Sequence, residues 1–244
     1  MRSLIVLARL LDYPTRALQQ AAPEMTAVIK EETRLSPLRR ETLVGWIRRI
    51  AQGDLLDLQA EYVALFDKGR STSLLLFEHV HGESRDRGQA MVDLLAQYRE
   101  AGFELDAREL PDYLPLFLEF LSTREEAEIA GQLGEIAHIL ARLTARLEER
   151  EADQALATAT LLALIGAEDE ITEHQDKVRQ EKRDDTPAAL DAVWEEEAVR
   201  FSATSDQDCA VQSAAGQRRA QQRQNEREQV SPVRMMDAAS DRCH

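Results

Sequence analysis

The chain predicts an all-α fold, a single compact multi-helix domain followed by a polar tail, and three observations carry that prediction. Strong helix formers (Ala, Leu, Glu, Gln and Arg) dominate its 244 residues, with only 10 Gly, 7 Pro and 5% aromatic side chains. Apolar residues recur three and four positions apart almost throughout. No stretch alternates with period two between turn residues, and no repeat of fixed period is present. A hydrophobic share of 43% supports a core built mainly from Leu, Ala, Ile and Val.

The elements follow in order. Leu4, Leu7, Ala8 and Leu11 form a first stripe. It ends at Asp12-Tyr13-Pro14, because proline pushes its predecessor out of the helical region. A second helix is expected from Thr15 to Glu32. Ser36-Pro37 supplies a capping hydroxyl and a proline at the first helical position, and Leu43, Ile47 and Ile50 then face inward as far as Gly53. Asp54 caps the next helix, lined by Leu58, Tyr62, Leu65 and Phe66. Beyond the apolar block Leu74–Phe77, Ser84 caps a helix carrying Met91, Leu94, Leu95 and Tyr98 that stops near Gly102. A short apolar helix is expected from Asp112 to Leu121, its leading acid favoured by the helix dipole. Helices over 124–150 and 152–166 follow, and Thr186-Pro187 opens a last one from Ala188 to Phe201, with Trp194. The helical domain is therefore placed at 1–201. Residues 202–244, where Gln217–Glu228 mixes charges with little to bury, are expected to be disordered.

The net charge of −15 is unevenly spread: +2 over residues 1–60, −17 over 61–200 and zero over 201–244. An acidic body disfavours nucleic acid as a partner and suits a basic peptide, but on composition alone a solvated acidic surface is the favoured reading of the charge. Cys209 and Cys243 are late and isolated, so they form neither a disulfide framework nor a metal motif. The N-terminus lacks the long apolar region of a signal peptide, and no apolar run approaches the roughly 20 residues that span a bilayer. The expectation is a soluble, cytoplasmic protein with no direct membrane insertion and no cofactor of its own.

Residues 65–91 are the most particular part of the chain. His79 and His81, flanked by Glu78 and Glu83, invite a metal reading. An i, i+2 pair nevertheless points to different faces of a helix, and a third ligand is missing, so a hydrogen-bonded or partner-contacting patch is favoured. Gly69-Arg70-Ser71-Thr72-Ser73 has the makings of an anion-binding nest but lacks the Gly-Lys-[Ser/Thr] ending of a P-loop and any preceding strand, and a tight polar turn explains it at least as well. Together these two features define an alternative reading, a small metal- or phosphate-dependent enzyme. No nucleophile elbow is present, and the runs Glu148-Glu149, Asp184-Asp185 and Glu195–Glu197 read as solvated faces. The apolar blocks Leu74–Phe77 and Leu114–Leu121 are either core helices or anchors for a partner helix.

The run from Leu65-Phe66-Asp67 through Gly69-Arg70 and Thr72–Met91 closely resembles the NarJ branch of the TorD/DmsD/NarJ family of redox-enzyme maturation chaperones. Arg9–Pro14, Glu109–Pro115, Arg183–Pro187 and Ala192–Glu197 extend the resemblance over most of residues 4–200. It implies a TorD-like all-helical assembly factor that binds the apo α (catalytic) subunit of respiratory nitrate reductase, including its N-terminal segment. Such a factor delays membrane attachment until the molybdenum cofactor is inserted, and cofactor delivery proteins are a further partner class. The family's Glu-Pro-x-Asp-His signature falls on Glu109-Leu110-Pro111-Asp112-Tyr113. A carboxylate role carries over to Glu109 or Asp112, with a simple helix cap as the other reading of Asp112, while Tyr113 replaces the family's His. The client site is expected to comprise Tyr62, Phe66, Arg70, Phe77, Glu78, His79, His81, Glu83, Glu109, Asp112 and Tyr113.

Overall fold

The first apolar stripe becomes α1 (Arg2–Leu11), and Leu4, Leu7 and Leu11 are fully buried along it. They face the core where α1 packs lengthwise against α8 (Leu114–Ser122), whose Leu114, Leu118 and Leu121 are equally buried. The computed structural model describes residues 1–81, 86–105, 109–192 and 195. The predicted cap at Ser84, Trp194 and the tail beyond residue 201 lie outside them. Among the described residues there are twelve numbered helices and no strand. Met1–Leu190 pack as one compact unit.

Local rules account for most boundaries. Ser36 accepts the Arg39 N–H at the start of α4 (Pro37–Gln52), and Asp54 accepts those of Leu56 and Asp57 at the start of α5 (Leu55–Phe66). Thr186 accepts the Ala189 N–H where residues 187–192 turn helical. The helix expected from Thr15 to Glu32 is instead two, α2 (Arg16–Gln20) and α3 (Ala22–Glu31). Pro23 lacks an N–H to continue the ladder, and its ring would crowd the carbonyl of Gln19. The helix expected over 124–150 also divides, into α9 (Glu126–Glu135) and α10 (Ala137–Glu149), after the weak helix formers Gly131 and Gly134.

Much of the particular segment falls on the short α6 (Leu76–His81) and the start of the 15-residue α7 (Asp86–Glu100). α10 packs against both α11 (Ala155–Ile165) and α12 (Asp169–Gln180). Between them the buried Thr144 hydroxyl donates to Leu140 O and contacts the Thr158 hydroxyl at 2.8 Å, so the polar pair inside this layer is satisfied. No helix of the described residues is long and apolar enough to cross a membrane.

Candidate functional site

Three segments far apart in the chain meet at one corner. Asp12, one residue past α1, accepts a hydrogen bond from the Tyr113 hydroxyl at 3.1 Å. The Tyr62 hydroxyl on α5 lies 3.0 Å from that of Tyr113, and donates to it because Tyr113 gives its own proton to Asp12. Tyr13 meets the Tyr62 ring edge-on at 5.4 Å, and Phe66 follows at 4.8 Å. Burial pushes the Tyr62 phenol up to about 12, and the carboxylates of Asp12, Asp67 and Glu109 add to the rise. Burial raises Tyr113 as well. Both phenols therefore stay protonated beneath an acidic rim.

The next residue in the chain holds α6. An antiparallel bridge between Leu75 and Tyr113 brings the fully buried Asp112 under the unpaired amides of that helix. Its Oδ2 accepts the Phe77 N–H and its backbone carbonyl the Leu76 N–H, each at 3.0 Å. Asp112 thus caps α6 and does not open α8, which begins at Leu114 with Tyr113 in the cap position. This corrects the expectation of a helix starting at Asp112: its acid was assigned to the following helix, but the bridge delivers it to the preceding one. Its Oδ1 finds no partner among the described residues. Burial lifts its pKa, opposed by the Phe77 N–H and the nearby Arg87 guanidinium. Arg87 is paired with Glu78 at 3.2 Å.

His79 Nε2–H donates to the Ser73 carbonyl at 2.8 Å, and burial lowers its pKa, so the ring is a neutral strut between α6 and the preceding loop. Among the described residues no group of three or more His, Cys, Asp or Glu is placed to hold a metal ion. The side chain of His81 and the whole of Glu83 lie outside those residues.

The anion nest at Gly69–Ser73 is filled from within the chain. Asp184 Oδ2 accepts the Ser71 N–H at 2.7 Å, and Oδ1 accepts the Ser71 hydroxyl at 2.5 Å and Arg150 Nη2 at 3.2 Å. Burial works against the ionised Asp184, but the Ser71 bonds outweigh it and its pKa falls. A Cβ on residue 69 would stand 2.7 Å from this carboxylate, so a side chain there would displace Asp184 from the loop. Arg146 adds a bond to Ser71 O at 2.9 Å. The phosphate version of the enzyme reading is corrected by this contact: the anion that the loop holds is Asp184.

Of the residues expected at the site, the fold brings Tyr62, Phe66, Phe77, Glu78, His79, Asp112 and Tyr113 together, with Glu109 close enough to act on Tyr62. Tyr62 and Phe66 are only 7% exposed, whereas Arg70 and Glu109 are exposed. The sequence did not single out Asp12 and Tyr13, which the fold adds to this corner, although both fall in the resembling Arg9–Pro14 stretch. It also missed a groove on the outer side of the corner, between α1 and α2–α3, with a volume of about 840 Å³. Val6, Leu18 and Met25 form its buried floor, and Ile5 and Tyr13 stand 44% and 42% exposed on its wall. Arg2 and Arg9 edge one side, Glu24 and Glu31 the other.

The described residues thus form an all-helical domain with an open apolar groove beside an acidic corner. The chain belongs to the family described as nitrate reductase delta subunit, whose sequence model matches residues 16–153. It is 51% identical over 203 residues to the nitrate reductase molybdenum cofactor assembly chaperone NarJ of Escherichia coli strain K12, covering 83% of this chain and 86% of that one. It is 47% identical over 204 residues to the probable chaperone NarW of the same strain, covering 82% and 84%. A probable NarJ of Bacillus subtilis is 31% identical over 159 residues, covering 65% and 85%. These relatives are named as assembly chaperones, not as enzymes.

Proposed function

We propose that the protein binds the immature catalytic subunit of respiratory nitrate reductase in the cytoplasm. It grips the client's N-terminal segment and keeps the subunit open for molybdenum cofactor insertion before membrane attachment. The observation that carries this reading is the acidic, tyrosine-lined corner opening onto the apolar groove. Apolar anchors of the client enter the groove, and its Lys or Arg side chains meet Asp12, Asp67 and Glu109. Arg70, Phe77 and Glu78 extend the contact, with Tyr62, Phe66, His79, Asp112 and Tyr113 holding the surface in shape from below, and His81 and Glu83 complete the proposed set of client-binding residues.

Release follows from a difference in affinity. A ligand shifts an equilibrium only by its differential affinity for the two states, so the chaperone must bind the open subunit more tightly than the loaded, folded one. Cofactor delivery proteins act on the held client. Titration of a peptide from the client's N-terminus tests the assignment. Micromolar binding, about −8 kcal/mol, is expected, at least tenfold weaker in a folded Phe77→Ala, Glu78→Ala double variant and in Glu109→Lys. Unchanged affinity in both would remove the site from this corner.

A further inference from the structure

We infer a second docking surface, on the outer face of α5, for a cationic amphipathic helix of a partner protein. α5 reads Leu-Leu-Asp-Leu-Gln-Ala-Glu-Tyr-Val-Ala-Leu-Phe, and its inward arc is accounted for by Tyr62 and Phe66, with Leu58 and Leu65 packed against the core. At 100° per residue, Leu56, Ala60, Val63 and Ala64 lie on the opposite arc, at the i, i+4, i+7, i+8 spacing of a helix-packing seam. Leu56 is 74% exposed, Val63 is 36% exposed, and both alanines are exposed. An apolar seam of this kind on a helix of about 18 Å (12 residues at 1.5 Å each) is wide and long enough to receive three turns of a second helix. Ala60 and Ala64 let that helix approach closely.

Charge complementarity identifies the occupant. Between residues 50 and 67 there is no Lys or Arg, while Asp54, Asp57, Glu61 and Asp67 all fall there. Asp57 and Glu61 sit four residues apart along one flank of the seam. A partner helix with apolar anchors at i, i+3/i+4, i+7 and Arg or Lys along the adjoining flank matches both features. An anionic membrane surface or nucleic acid would be repelled by the same carboxylates. The seam faces away from Tyr62 and Phe66, so occupancy here does not require the client corner.

The test uses the full chain and a synthetic amphipathic helix with Leu on one face and Arg along one flank, set against a scrambled peptide of the same composition. Saturable binding of the first peptide is expected, weakened by salt and at least tenfold weaker in Leu56→Glu, Val63→Glu. Asp57→Asn, Glu61→Gln should weaken it at least threefold, and because the groove beside α1 suits the same kind of peptide, both comparisons are repeated in an Ile5→Glu background that closes that groove, where the binding at the seam should persist. Leu56 is so exposed that its replacement leaves the core intact, and circular dichroism checks this for every variant. No saturable binding, binding lost only in Ile5→Glu, or equal binding of the scrambled peptide would overturn the inference. So would a wild-type dimer in sedimentation that Leu56→Glu, Val63→Glu converts to monomer, because the seam would then belong to a second copy of the chain. Loss of client-peptide binding at the corner leaves this result untouched.

Discussion

Replacing Gly69 by Ala is expected to destabilise the protein through a single contact. The backbone there is not left-handed, so alanine by itself is tolerated, and shortening the unfolded chain's list of conformations favours it by about 0.4–1 kcal/mol. The obstacle is Asp184, whose carboxylate atoms would stand 2.7, 2.8 and 2.9 Å from the new Cβ. The carboxylate must withdraw and give up its bonds to the Ser71 N–H and hydroxyl. Hydrogen bonds to a charged group contribute about 1.5–3 kcal/mol each. The Asp184 side chain is 35% exposed, so water replaces part of them. A net loss of about 2–3 kcal/mol remains, and at about 2–4 °C per kcal/mol the melting temperature falls by about 4–12 °C.

Thermal and urea unfolding of Gly69→Ala, Asp184→Ala and the double variant measures this directly. With the carboxylate gone the Cβ has room, so alanine at 69 should cost almost nothing in the Asp184→Ala background. The cycle should therefore show a coupling of about 2 kcal/mol. A loss below about 0.5 kcal/mol for Gly69→Ala alone, or the same loss in both backgrounds, would refute the reasoning.

Other expectations are simpler to check. Tyr113→Phe leaves Asp12 and the Tyr62 hydroxyl without their common partner and should cost about 1–2 kcal/mol in urea unfolding. Glu32 accepts bonds from the Ser3 hydroxyl and from Arg34, and the Arg34 bond above all lowers its pKa to about 2. Its contribution is present above the ordinary carboxylate range and lost as pH falls toward 2, so Glu32→Gln should cost about 2 kcal/mol at pH 7 and little in strong acid. Asp112 has the opposite sign: burial raises its folded pKa, so wild-type stability declines as pH rises through that value. Asp112→Asn does not titrate, and melts from pH 4 to pH 7 should move in favour of the variant. A difference that stays flat across that range would contradict a buried, titrating carboxyl.

Features written in neighbouring residues were legible before the fold was seen. The caps at Ser36, Asp54 and Thr186 were assigned from hydroxyl, carboxylate and proline chemistry alone and bond as expected. α12 was not foreseen, because in Asp-Glu-Ile-Thr-Glu-His-Gln-Asp-Lys-Val-Arg-Gln only Ile171 and Val178 are buried, too sparse a stripe to register. The inner architecture of the corner was hidden for a different reason. Tyr113 meets Asp12 across 101 residues, and Ser71 meets Asp184 across 113, distances at which no periodicity or spacing rule speaks. The loop at Gly69–Ser73 reads in the sequence as either an anion nest or a tight polar turn, and the anion that decides between them, Asp184, stands in a segment read as a solvated acidic face. Asp112 was seen as a cap, and only the bridge to Leu75 decides which helix it caps.

A chaperone of this kind must prefer the immature client to the loaded one. Affinity capture with this protein as bait, from cells producing the nitrate reductase catalytic subunit with and without molybdenum cofactor synthesis, measures that preference. Strong co-purification of the cofactor-free subunit and at least tenfold weaker recovery of the loaded one is the predicted result. Equal recovery of both forms, or of neither, would contradict it.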